Sequence, residues 1–188
     1  MADGGYAVSP ERPPATKESR SRSPFARPSM KRWARLLPRE ALDEIVRQAE
    51  AGYPEEICGM VIGRPGAPET YRVRQVANVA NREPQDDPTG TPRDARTAYK
   101  MDPLGQLAVL READREGWEP VLFYHSHPDH GAYFSRMDRE RALMTDGDPI
   151  WPGATYLVVS VMGGSVSEVA AYGWDRGSRD FVPTHACG

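Results

Sequence analysis

Residues 120–138 read PVLFYHSHPDHGAYFSRMD, and this stretch decides both the architecture and the chemistry. Pro120-Val121-Leu122-Phe123-Tyr124 is short and apolar, which predicts a buried strand that delivers His125. On an extended chain, residues i and i+2 face the same side, so the imidazoles of His125 and His127 can meet one ion. A helix is expected from Ser135 to about Met144, and the loop before it can return Asp138 to the same point. Two histidines and one aspartate leave the fourth tetrahedral position to water. That is the layout of a catalytic zinc rather than a structural one.

Water at such a zinc needs a base for its proton. Glu55 and Glu56 stand just before the apolar run Ile57–Gly63. Two adjacent residues on a strand face opposite ways, and spacing alone does not choose between them. Ser135 carries two readings. Its hydroxyl can donate to the oxyanion of a tetrahedral intermediate, and Ser135-x-x-Asp138 is also a helix-capping pattern. The two are compatible, because a capped helix start can orient Asp138. His130 is expected at the rim of the site. Cys58, inside an apolar run, reads as a small core residue. His185 and Cys187 receive no role.

Outward from this segment the predicted order is α-β-β-α-β-α-β-β. A first helix over 38–51 carries Leu42, Ile45, Val46 and Ala49 on one face. Strands are expected over 57–63 and 71–76. Residues 82–96, with three prolines and mixed charge, read as a loop. Asp102 and Pro103 suit the start of a second helix whose face is set by Leu104, Leu107, Ala108 and Arg111, with Gly117 at its end. Two last strands, 154–161 and 165–174, flank a Met162-Gly163-Gly164 turn. Consecutive strands joined by short turns favour a mixed α/β sheet flanked by helices over a regular parallel fold.

The 188-residue chain suits one domain. Residues 1–37 are rich in Pro, Ser and Arg, lack periodicity and read as a mostly disordered basic arm, whose last part (Met30, Trp33, Leu36, Leu37) can dock on the domain. A folded domain over 38–175 and a tail over 176–188 follow. Residues 1–40 hold nine Lys/Arg against four Asp/Glu, while the whole chain has a formal charge of -3. Such an arm can meet acidic surfaces. Without aromatic interleaving, a solvated tail is the expected reading and a nucleic-acid partner is not. No apolar run reaches 18 residues, so no membrane span is expected, and the N-terminus lacks a secretory pattern. Two distant cysteines form neither a disulfide framework nor a CxxC pair, which points to the reducing cytoplasm.

These residues resemble the JAMM (MPN-plus, Mov34/PAD-1) metalloprotease family. Its pattern is an upstream Glu, then His-(Ser/Thr)-His, seven residues, Ser, two residues and Asp. His125-Ser126-His127, residues 128–134, Ser135 and Asp138 match it without gaps. Pro54-Glu55-Glu56-Ile57-Cys58-Gly59 looks like the Pro-x-Glu-x-Cys-Gly opening of prokaryotic members, an alignment that selects Glu56. The resemblance covers about residues 38–175. It implies a cytidine-deaminase-like fold and one Zn2+ per chain held by His125, His127 and Asp138. Glu56 is then the general acid/base, and Ser135 assists the oxyanion. Small prokaryotic relatives of the Mec type trim a residue from the C-terminus of a ubiquitin-like sulfur-carrier protein (ThiS/MoaD-like). Such a carrier is the expected partner, with the 82–96 segment clamping its thin tail. A small-molecule zinc amidohydrolase and a non-catalytic interaction module are the competing readings, and the oligomeric state stays open.

Overall fold

The computed structural model describes Met1 and residues 36–82, 85–86 and 92–184. The expectations for most of the basic arm, including Met30 and Trp33, and for His185 and Cys187 lie outside the described residues. The chain forms α1 (Arg39–Gly52), β1 (Cys58–Gly63), β2 (Arg72–Val76), β3 (Gln85–Asp86), β4 (Pro92–Arg93), α2 (Pro103–Glu116), β5 (Glu119–Pro128), α3 (Arg136–Ala142), β6 (Thr155–Met162), β7 (Ser165–Asp175) and β8 (Asp180–Pro183). Six strands make one sheet in the order β2-β1-β5-β6-β7-β8. Only β5 and β6 run parallel; the other neighbours are antiparallel. The mixed sheet expected from the sequence is therefore present.

Period-two alternation sends side chains to two cores. Val61, Leu122, Tyr124, Leu157, Val159 and Val161 join Leu42, Ile45 and Ala49 of α1. Met60, Ile62, Phe123, Tyr156 and Val158 pack with Val109 and Ala113 of α2, and with Phe134 and Phe181. Each fully buried branched side chain contributes about 1.5–3 kcal/mol. Phe123 lies on the second face, so His125 and His127, in phase with it, lie there too. Ser126, in phase with Tyr124, points to the α1 side. The strand expected over 120–124 continues through both histidines to Pro128.

Leu37 is buried and Leu36 packs against the α1 core, so the end of the arm docks on the domain as expected. Three expectations need correction. Within 82–96, Gln85–Asp86 pairs antiparallel with Pro92–Arg93, where a plain loop was expected. The tail expected over 176–188 turns back at residues 176–179, and β8 pairs with β7, burying Phe181 among Phe134, Tyr156 and Trp174. With only Phe181 and Val182 between Asp180 and Pro183, this strand is too short to show a clear periodicity. Finally, α2 turns Val109 and Ala113 inward and leaves Leu104 and Leu107 exposed, at 76% and 42%. Its small residues let the helix lie close to the sheet: a Cβ at Gly105 would sit 3.2 Å from Val76.

The α2 ends follow the sequence. The Asp102 carboxylate accepts from the Gly105 N–H at 2.8 Å, and Gly117 takes the left-handed conformation at φ 64°.

Gly59, the second residue of β1, lies opposite Tyr124 in the neighbouring strand. A Cβ there would fall 2.3 Å from the Tyr124 ring and 2.5 Å from the Arg74 carbonyl oxygen. The ring is also tethered, because its hydroxyl donates to Gln48 Oε1 at 2.6 Å. Gly59→Ala is expected to cost about 1–3 kcal/mol in urea unfolding, as overpacking does. An unchanged unfolding midpoint would refute the close approach.

Candidate metal centre

The site begins at the junction of β1 and β5. Ser126 binds residue 57 twice: its N–H donates to the Ile57 carbonyl at 3.0 Å, and its Oγ accepts from the Ile57 N–H at 2.9 Å. This double tie sets Glu56 at a fixed height against the two histidines that flank Ser126. The Glu56 N–H donates to the Ala95 carbonyl, and its own carbonyl accepts from Asn78 Nδ2 at 2.9 Å. Asn78 also donates to the Ala98 carbonyl and accepts from the Lys100 N–H, so one amide binds both strands of chain beside the site. Asn81 draws the Glu55 carboxylate outward, donating to its Oε1 at 2.9 Å. Glu55 is exposed, whereas Glu56 is buried at 7%. Of the two adjacent glutamates, Glu56 is the one that lines the cleft.

His125, His127 and Asp138 converge. The two Nε2 atoms are 3.1 Å apart, and Asp138 Oδ2 is 3.4 Å from His125 Nε2 and 3.7 Å from His127 Nε2. Ligand atoms held tetrahedrally about 2.0 Å from zinc would be about 3.3 Å apart. The donor set is also right. His127 Nδ1 lies 3.0 Å from the Gly131 carbonyl, which can only accept, so Nδ1 carries the proton and Nε2 of the neutral ring offers its lone pair. The Tyr99 ring stacks on His125 at 4.5 Å between centroids and 25° between planes, which holds that imidazole in place. A carboxylate and two imidazoles buried this deeply are costly without a compensating cation. These three side chains could hold a metal ion.

Asp138 does two jobs. Its Oδ2, the oxygen facing the histidines, accepts from the Ser135 N–H at 2.8 Å, and Ser135 Oγ accepts from the Asp138 N–H at 3.2 Å. This reciprocal pair is the capping box of α3. The cap uses a lone pair of Ser135 Oγ and leaves its O–H free to donate into the cleft that it lines.

The electrostatics follow burial. Burial alone would raise the Asp138 carboxyl, but the charge and hydrogen bonds of His125 and His127 hold it far below the usual carboxylate range. Burial lowers His125. It acts the same way on His127, where hydrogen bonding to Asp138 and the Glu56 charge outweigh it and raise that imidazole. Glu56 is pushed up to about 8, chiefly by burial and with the His127 charge opposing. Burial pushes the Cys58 thiol up to about 12, so it stays a protonated core group. His130 is exposed at the rim, with Nδ1 2.8 Å from the Pro128 carbonyl.

A cleft of about 390 Å3 joins Glu56, His127, Ser135 and Asp138, and Arg93, Arg96 and Arg141 complete much of its wall. Sequence reading missed Ser126, Asn78 and Tyr99. An Asn four residues before a proline-rich loop and a Ser between two histidines were the available signals. Neither reveals its partners, which lie 69 residues away for Ser126 and 20 to 22 for Asn78.

The family model describing prokaryotic homologs of the JAB domain matches residues 38–174. A desampylase of Haloferax volcanii is 33% identical over 128 residues, covering 66% of this chain and 78% of that protein. A CysO-cysteine peptidase of Mycobacterium tuberculosis is 30% identical over 137 residues, 73% of this chain and 80% of that one. A solution structure of a protein from Desulfitobacterium hafniense shares the fold at a TM-score of 0.56, with 20% identity, and covers 79% of this chain and 88% of its own. With the converging His-His-Asp trio, the buried glutamate and a match across most of its length, the chain belongs to the prokaryotic JAB family, the JAMM-type peptidases its sequence resembles.

Proposed function

We propose that the protein is a zinc-dependent peptidase that hydrolyses the bond after the C-terminal glycine of a ubiquitin-like carrier protein. The observation that carries this reading is the 3.1–3.7 Å convergence of His125, His127 and Asp138 beside the buried Glu56. His125, His127 and Asp138 would hold the zinc, which when bound supplies a Lewis acid and lowers the pKa of water to about 7. The names of the relatives, a desampylase and a CysO-cysteine peptidase, support a carrier-type substrate.

The chain's own groups divide the remaining work. Glu56, kept near neutrality in its proton affinity, takes a proton from the attacking water and delivers it to the leaving nitrogen. One water is consumed: its oxygen stays on the glycine carboxylate, the C–N bond breaks, and the amine leaves protonated. The free Ser135 O–H donates to the carbonyl oxygen as negative charge grows there, and one such donor is worth about 3–4 kcal/mol. A thin Gly-Gly tail fits a narrow cleft. The β3–β4 hairpin, whose Arg93 lines that cleft, offers a strand edge along which the tail can run.

The direct test is mass spectrometry of a ThiS- or MoaD-like carrier, extended past its terminal glycines, after incubation with the zinc-loaded protein. Trimming to the Gly-Gly end is expected, with Glu56→Gln folding normally but slowed about 100- to 10,000-fold. Turnover of small amides with an intact carrier would favour an amidohydrolase instead. Asp138→Asn should bind zinc more than about tenfold less tightly, because a neutral amide is a poorer ligand. Equal zinc content after dialysis would remove Asp138 from the ligand set.

Glu56 also makes a pH-dependent demand on stability in the metal-free protein. A glutamate in the unfolded chain titrates near about 4.3. Between that value and about 8 the folded state keeps a proton that the unfolded state has released, so stability falls as pH rises through this window. Metal-free Glu56→Gln lacks this slope. Relative to wild type it should gain at most about 1.4 kcal/mol per pH unit across the window and level off above it. Parallel urea-unfolding stabilities from pH 5 to 9 would mean that Glu56 ionises freely in the fold.

A further inference from the structure

Resting on the peptidase reading, we infer that the cleft recognises a free α-carboxylate on the departing residue, with Arg96 as its partner, and so releases a single C-terminal amino acid in preference to opening an isopeptide bond. Three arginines, Arg93, Arg96 and Arg141, line the same cavity of about 390 Å3 as Glu56, Ser135 and Asp138. Among the described residues, the carboxylates on that wall are Glu56 and Asp138, and both are buried and committed to the centre. Two of the three arginines are tied into the protein. Arg93 donates to the Thr97 carbonyl at 3.2 Å. Arg141 donates to the Tyr99 carbonyl and to Met137 Sδ, and its guanidinium stands 5.2 Å from the centre of the Tyr99 ring. The Arg96 side chain is exposed and has no hydrogen bond or ion pair among the described residues; only its backbone is held, by Asp94 at 2.9 Å.

A cationic wall in a cleft this small selects for what lies within a residue of the scissile bond. A Gly-Gly tail brings no charge there. A lysine joined through its side chain to a folded protein also brings none, because its own carboxyl is already an amide. A single amino acid linked through its α-nitrogen carries a carboxylate two bonds from the atom that departs. A guanidinium matches that group with two parallel hydrogen bonds. Arg96 is thus a specificity residue that touches the substrate but takes no part in moving protons.

The test compares two substrates on the zinc-loaded full chain. One is a ThiS-like carrier ending in Gly-Gly-Ala. The other is the same carrier ending in Gly-Gly-Ala-Ala-Ser-Ala, which moves the carboxylate out of the cleft. Wild type should favour the first by about tenfold in kcat/KM, mainly through KM, the size expected of one charge-assisted contact. Arg96→Ala should bring the ratio to within about twofold, and Arg96→Lys should keep part of it. Calorimetric binding of both carriers to Glu56→Gln should show the same preference without turnover. Equal kcat/KM for the two carriers in wild type, or an unchanged ratio in Arg96→Ala, overturns the carboxylate assignment alone. Cleavage of neither carrier overturns the peptidase reading and this inference with it.

Discussion

The phase of β5 is the constraint on which everything else rests. This strand is paired on both sides, with β1 and with β6, so it cannot shift without breaking two ladders. Phe123 is fixed in one core and Tyr124 in the other. That choice carries His125 and His127 to the α2 face and Ser126 to the α1 face. A slip of one residue would reverse all of them. The geometry of the candidate metal centre is therefore specified by the same packing that holds the sheet together, several residues before the first histidine.

Around that strand the protein holds charge where burial disfavours it. Asp138 and Glu56 are both nearly sealed from solvent, and each is managed differently. Asp138 is kept ionised by two imidazoles and by the Ser135 N–H at the start of α3. Glu56 receives no comparable support at its carboxyl, and burial keeps its proton affinity near neutrality. Two carboxylates in one cleft thus acquire different roles from their surroundings, one suited to holding a cation and the other to passing a proton. The cost falls on folding stability and is offset by the two large apolar cores.

The polar scaffolding shows how an irregular segment is made rigid. Asn78 satisfies four backbone groups spread over residues 56, 80, 98 and 100. Asn81 adds the Ala95 N–H and removes Glu55 from competition. Tyr99, delivered by this stretch, stacks on His125 and accepts Arg141 through its carbonyl. One short region of coil thereby braces His125, Glu56 and a wall of the cleft.

The sequence alone determined most of the elements and the candidate His-His-Asp site, because both are written in local spacing. Period two across 120–128 placed the histidines together, Asp102-Pro103 and Gly117 marked the ends of α2, and Ser135-x-x-Asp138 announced the start of α3. It did not determine which face of α2 packs, since Leu104 and Leu107 are larger apolar side chains than Val109 and Ala113; the close approach at Gly105 decided that. Nor did it show β8, whose strand character comes from pairing with β7 rather than from its own pattern. The choice between Glu55 and Glu56 came from family likeness at first. Physically it rests on the Ser126–Ile57 tie and on Asn81, contacts 69 and 26 residues apart in the chain. Spacing governs what neighbours along the backbone can do together. Burial, charge and orientation depend on neighbours that only folding brings within reach.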